Sequence, residues 1–381
     1  MCLATLEGNA SSRAANGPHA FPSSSNRSGQ DFIMQRMTDG IATSSALDPF
    51  LRELRFKRGS ATDTAHALQA LIDAGLDRLP PPGKGATLER WRSLAAVAAC
   101  DLALVKLYEG HTDALAIIAE IGDGFDPAAG QTWGVWAAEP PTARLAASAS
   151  SDGESALTLQ GTKAWCSGAA SVSHALVTAW NEKDEPILAA VDLRQPGVRV
   201  TDEGWMAVGM SASASVDVHF DNAHATRIGA PRAYLERAGF WHGGGGIAAC
   251  WFGAAAAIGN FVKQDATRRA DPYKLAHLGA IDTALASTAS LLRETAARID
   301  REPRADAMPG AFRARLAAER AAIEVIERAG RALGAAPLCR NRHFASLMAD
   351  LPVFIRQSHA ERDEAALAER IVKEEGSAWN L

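Results

Sequence analysis

The sequence predicts an α+β protein: an N-terminal helical domain, a middle antiparallel β-barrel-like domain and a C-terminal helical bundle. Three observations predict it. Apolar residues keep helical spacing from about Ala46 to Ile121. Between Phe125 and Ala230 the period shortens to two, in short runs separated by Gly, Pro, Asp and Asn. After Trp241 the helical period returns and holds to the end. The divisions read as 1–45, a disordered tail; 46–125, helical; 126–230, β; and 231–381, helical.

The tail reading rests on composition. Residues 1–45 are rich in Ser, Asn, Gly and Ala, and Ala10–Gln30 is nearly free of large aliphatics. Asp48 then suits an N-cap, with Pro49 in the first helical turn. Ala65–Ala74 reads as a second helix, ended by Leu79-Pro-Pro-Pro-Gly83. Leu88–Ile121 is a long Ala- and Leu-rich helical region, expected to break near Gly110, with charges inside its apolar run at Leu104–His111.

Seven strands are expected: Trp133–Ala138, Ala146–Ala149, Leu157–Trp165, Ala175–Trp180, Ile187–Asp192, Val198–Thr201 and Val216–Phe220. The last block holds helices around Ile281–Ile299, Phe312–Leu333 closed by Gly334, and Arg342–Lys373.

Bulk properties narrow the function. The 381 residues, 47% hydrophobic, can bury a core for two or three domains or layers. A net charge of −5 gives no footprint for nucleic acid or an anionic membrane. No apolar run approaches the roughly 18 residues that span a bilayer, and the N-terminus lacks a signal-peptide pattern. Five scattered cysteines show neither a disulfide framework nor metal spacing, so a cytoplasmic location and no metal are expected.

The most informative segment is Leu157–Ala169. Gly161 permits a tight turn into a second strand, on which Lys163, Trp165 and Ser167 would share one face. A cation, an indole and a hydroxyl in a row suit a large planar ligand carrying charge. Taken alone, the same segment is a β-hairpin with a packed Trp.

Four segments in order resemble the acyl-CoA dehydrogenase superfamily of FAD-dependent enzymes. They are Leu159-Gln-Gly-Thr-Lys-Ala-Trp-Cys-Ser167, Gly209–Asp221, Arg268–Leu275 and Ala332-Leu-Gly-Ala-Ala336. The resemblance covers roughly Ala46 to the C-terminus. It implies that Trp165 flanks a flavin and that Ser167 hydrogen-bonds near its reactive edge. It implies that Arg269 binds the FAD pyrophosphate in a neighbouring subunit and that Gly334 lets backbone approach the cofactor. A homodimer or homotetramer follows, because the FAD site needs residues from a neighbour.

Departures bear on the chemistry. The family's T-E-P-x-x-G-S-D stretch survives only as Glu139-Pro140, and Ser211 stands where an Arg is expected. The two positions at which the family carries a catalytic Glu align with Ser358 and Gly243. His359 is then the better base, with Glu361 one helical step on. His359 also reads as a surface residue in a charged helix. Trp241, His242 and Gly243, at the head of the Gly243–Gly246 run, could line a substrate cavity or pack the core.

Three functions follow. The first is an FAD-dependent oxidation of an acyl-CoA or similar small molecule, with electrons passing to an electron-transfer flavoprotein or to oxygen. The second is a flavin monooxygenase on the same fold, using His359. The third is a degenerate relative serving as an assembly partner.

Overall fold

A computed structural model describes residues 43–374 apart from 152, together with 376 and 379. The expected unstructured tail lies outside these residues except at Thr43–Ser45, and helix already begins at Ser44. The N-terminal block is α1 (Ser44–Glu53), α2 (Ala61–Asp73), α3 (Thr87–Cys100) and α4 (Leu102–Ile121). Pro49 lies inside α1 rather than at its start, and Asp48 caps nothing.

The break in the long helical region falls at Asp101, not at Gly110. Asp101 is extended and its carboxylate accepts the Leu104 N–H, so it ends α3 and caps α4 together. Gly110 instead thins α4 where the helix crosses the first strand, bringing Val135 N to 3.7 Å of a Cβ placed there.

The middle block holds β1 (Trp133–Trp136), β2 (Leu145–Ala149), β3 (Ala156–Cys166), β4 (His174–Trp180), β5 (Pro186–Asp192), β6 (Val198–Val200) and β7 (Val216–Ile228). β4, β2, β3, β7 and β5 pair in a closed ring, with β1 added on β4 and β6 on β7. The barrel is mixed rather than purely antiparallel, since β1 and β2 both run parallel to β4.

The expected hairpin at Gly161 is one continuous strand. β3 pairs with β7 on one side from Ala156 to Cys166, and its partner on the other side, β2, stops opposite Gly161. Gly161 takes φ +122 and lies so close to the Arg144 carbonyl that a Cβ would fall 2.8 Å from it. The glycine therefore bends a strand instead of turning a hairpin.

The C-terminal block comprises α5 (Ala233–Glu236), α6 (Gly239–Arg268), α7 (Pro272–Arg301), α8 (Met308–Leu333), α9 (Ala335–Arg340), α10 (Arg342–Phe354) and α11 (Glu361–Ile371). The expected continuous helix over 342–373 is interrupted: a 3₁₀ turn at Ile355–Gln357 leads to extended Ser358 and to Ala360 at φ +44. α6 and α7 are long and apolar enough to cross a membrane, which corrects the expectation that no segment reaches that length. The apolar window of α6 is 78% buried within the protein, which makes it a core helix; that of α7 is 17% buried. α7 turns Ile281, Leu292 and Ile299 inward, while hydroxyls of Thr283, Ser287 and Ser290 bond back to carbonyls of their own helix.

Candidate functional site

On the barrel, Lys163 and Trp165 do not share a face. A register shift between Lys163 and Cys166 and a left-handed Trp165 at φ +56 break the two-residue alternation. Lys163 turns inward and is fully buried. Its ammonium donates to the Thr178 carbonyl at 2.8 Å and to Thr178 Oγ1 at 2.7 Å, with Glu139 Oε1 at 3.3 Å. Glu139 also accepts from Thr178 Oγ1 and from Trp180 Nε1. Glu139-Pro140 and Lys163 are thus halves of one structural network.

Trp165 turns outward and is 46% exposed. A large indole left half bare on a strained backbone is an unusual surface feature. Beside it Ser167 Oγ bonds Ser215 Oγ at 2.8 Å, and Ser215 bonds Ser213 Oγ at 3.0 Å. Ser213 donates onward to the Met210 carbonyl. Ser213 and Ser215 lie in the Gly209–Asp221 motif, but their hydroxyl chain depends on β3 and β7 pairing, which no local pattern shows.

The loop carrying them is held from the C-terminal block. Asp350 Oδ1 on α10 accepts the Met210 N–H at 2.6 Å, with Met210 at φ +59. Burial pushes the Asp350 carboxyl up to about 6.

The Gly243–Gly246 run lies inside α6 and admits side chains from the N-terminal block. A Cβ on Gly243 would stand 3.0 Å from Asp113 Oδ1, and one on Gly245 would stand 2.8 Å from the Trp91 ring. Asp113 is buried on α4, with Arg90 Nη2 3.8 Å away. Burial first, and then the Glu109 charge, raise its carboxyl above the usual carboxylate range. Trp241 packs edge-on between Phe240 and Phe312. His242 is buried near Gly83, and burial lowers its imidazole below the ordinary value.

The C-terminal turn reaches the same helix through Arg315 of α8. This buried guanidinium donates to the Gly244 carbonyl at 3.3 Å and the Gln357 carbonyl at 2.9 Å, and lies over the Trp251 ring at 5.1 Å. It also approaches Asp363 at 3.8 Å. Asp363 accepts the His359 backbone N–H, and its other oxygen is 3.4 Å from His359 Nδ1. Burial opposes ionisation of Asp363, but the His359 hydrogen bond and the Arg315 charge hold its carboxyl below the usual value. Glu361 is exposed at the start of α11 and Ser358 is buried.

Arg269 and Gly334 sit apart from the barrel. Arg269 is exposed just past the end of α6, and its side chain makes no hydrogen bond or ion pair among the described residues. Gly334 ends α8 at φ +64, with open space where a Cβ would point. The structure thus brings together Trp165 and Ser167, and separately Gly243 and the His359 turn. Asp113, Trp91, Arg315 and Asp363 were not singled out by sequence. Only Asp363 left a local signal, four residues after His359 on a helical pattern.

No protein-family model matches the chain, and no curated protein matches it by sequence. Solved structures match it in fold. Dibenzothiophene monooxygenase from a Paenibacillus species aligns with a TM-score of 0.67 at 18% identity, over 90% of this chain and 94% of that one. KijD3, in complex with FMN and a dTDP-linked amino-keto sugar, gives 0.70 at 19% identity over 93% and 96%. A 3-HSA hydroxylase from a Rhodococcus species gives 0.69 at 17% over 91% and 98%. At these identities the likeness is one of fold, and the fold is acyl-CoA dehydrogenase-like.

Proposed function

We propose that the chain is a flavin-dependent monooxygenase that uses dioxygen on a small organic substrate. The observation that carries this reading is the His359–Asp363 pair. It supplies an oriented imidazole next to Ser358, where the resemblance expects a carboxylate base.

The barrel face fits a flavin: Trp165 offers a bare ring, and the Ser167–Ser215–Ser213 chain offers hydroxyls that both donate and accept. When bound, flavin supplies two-electron chemistry and, once reduced, activates dioxygen. Trp165 would wall the ring, and the Ser167 hydroxyl would donate to or accept from its edge. Asp363 accepting from Nδ1 sets the His359 tautomer, which leaves Nε2 as the nitrogen that takes or gives a proton. Arg269, exposed and without a hydrogen bond or ion pair among the described residues, would bind cofactor phosphate in a second copy, which makes the working form a homodimer or homotetramer. FAD offers that arginine a pyrophosphate, whereas FMN, as in the KijD3 complex, offers a single phosphate.

The test is to purify the protein, identify any released flavin by mass, and reduce it without oxygen. Labelled dioxygen is then admitted with hydroxyaromatic substrates. Label in the product supports the monooxygenase. Bleaching of the flavin by acyl-CoAs under anaerobic conditions would replace it with the dehydrogenase. A colourless protein that binds no added flavin would favour the assembly partner.

One observation favours the dehydrogenase as the second reading. The Asp113 carboxylate from α4 lies against Gly243, the aligned position of a family Glu, and its raised pKa suits a general base.

A further inference from the structure

Arg315 of α8 is 1% exposed, and its one guanidinium serves three other segments. Nη1 donates to the Gly244 carbonyl of α6 at 3.3 Å, and Nη2 to the Gln357 carbonyl of the 3₁₀ turn at 2.9 Å. Nε lies 3.8 Å from Asp363 Oδ2 of α11. The guanidinium also rests over the Trp251 ring, so packing as well as hydrogen bonding sets its direction.

The turn it reaches is not favoured locally. Between Gln357 and α11 the backbone passes through Ala360 at φ +44, a left-handed conformation that a Cβ disfavours. The turn's own bonds are long: the Ala360 N–H to Ser358 Oγ at 3.2 Å and the His359 N–H to Asp363 Oδ2 at 3.3 Å. The Arg315 bond to the Gln357 carbonyl adds a hold from outside the turn.

The same contact divides a charge. Asp363 is 3% exposed, with Oδ2 toward Arg315 and Oδ1 3.4 Å from His359 Nδ1. One buried carboxylate cannot fully compensate two cations. With Arg315 in place its pair with Asp363 is neutral, and protonating His359 adds a net positive charge. Without Arg315, imidazolium and carboxylate would neutralise each other. The other charges on these elements face elsewhere. Glu319 meets Arg356, Arg320 meets Glu364, and Glu361 and Arg362 are exposed. α6 carries no Asp, Glu, Lys or Arg from Gly239 to Val262, and its His242 lies against Gly83.

We infer that Arg315 is a positioning residue for His359: it seats the turn against the glycine run of α6 and, by occupying Asp363, keeps the imidazole in its neutral, proton-accepting form. The inference rests on the monooxygenase reading, in which His359 handles the proton, and names the group that sets when it can accept one. The depressed Asp363 carboxyl agrees, because an ionised Asp363 is what both cations share.

The test is the pH dependence of modification by diethyl pyrocarbonate, which attacks neutral imidazole, read at His359 by peptide mass spectrometry. The His359 side chain is 22% exposed, so the reagent reaches it, and the measurement needs no flavin. Arg315→Gln is expected to raise the midpoint by roughly one pH unit. Arg315→Lys, which keeps the charge, should hold it near the wild type. Removing the guanidinium alone strands the buried Asp363 charge, so the comparison is repeated with that charge removed. Adding Arg315→Gln to Asp363→Asn should raise the midpoint above that of Asp363→Asn alone. A midpoint that stays or falls when the guanidinium is removed overturns the proposal, and so does a Lys variant that titrates like the Gln one.

Flavin content and label uptake from dioxygen, measured on the same preparations, separate the two readings. A moved midpoint in a protein that takes up no label keeps the coupling of Arg315 to His359 and loses the monooxygenase. Label uptake with an unmoved midpoint does the reverse.

Discussion

Lys163 and Glu139 form a buried pair inside the barrel, ammonium to carboxylate at 3.3 Å, with Thr178 bonded to both. The cation that a two-residue alternation would aim at a ligand is instead a strut between β3 and the segment after β1. Removing one member strands the other in a low-dielectric interior. Lys163→Met is therefore expected to destabilise the fold by about 3–5 kcal/mol, read from urea unfolding. A loss below about 1 kcal/mol would show the pair to be dispensable.

Trp165 separates cofactor binding from folding. Its backbone sits at φ +56, which costs a residue with a Cβ roughly 1–2 kcal/mol. Trp165→Gly removes that strain while giving up a ring that is 46% exposed. Stability should stay level or rise by up to about 1 kcal/mol after the entropy of the added glycine. Flavin binding should weaken about tenfold through lost stacking. Unchanged flavin occupancy in this variant would remove Trp165 from the cofactor site.

His359 and Asp363 should be distinguishable by their pH profiles. His359→Ala is expected to slow the oxygen-dependent step by roughly 10²–10⁴-fold while flavin stays bound. Asp363→Asn should have a smaller effect and shift the pH profile, because it disturbs the tautomer rather than removing the ring. Asp363 also carries a stability signature. Its carboxyl is depressed in the folded chain, so its contribution is present above the ordinary Asp range and lost as pH falls through the depressed value. Melting temperature followed into acid should show a steeper fall in the wild type than in Asp363→Asn.

Asp350 predicts the opposite sign. Its folded carboxyl is raised to about 6, so ionisation costs stability progressively as pH climbs from near 4 to near 6. Asp350→Asn keeps an oxygen for the Met210 N–H and removes that cost. It should be near neutral at low pH and stabilising by roughly 1–2 kcal/mol at neutral pH, after allowance for partial solvent screening. A benefit that does not grow with pH would rule out the raised carboxyl.

Much was legible in the chain itself. Local periodicity specifies which stretches are helix and which are strand, so the order of helices, barrel and helices followed from apolar spacing. The C-terminal cap at Gly334 followed in the same way, and four motifs in order pointed to the fold. What the residues face was decided by tertiary structure. Trp165 turned outward, off the face of Lys163, because a register shift against β7 between Lys163 and Cys166 and its own left-handed backbone break the alternation, and no periodicity contains that. Gly161 bent a strand because β2 ends opposite it. The interior charges of α4 were visible as charges within an apolar run. The approach of Asp113, which lies beyond that run, and of Trp91 to the Gly243–Gly246 lane depended on α3, α4 and α6 packing together across more than a hundred residues of chain. Local sequence acts through backbone preference and solvation, which reach one element at a time. An arrangement assembled from three helices exists only once long-range packing has chosen their contacts.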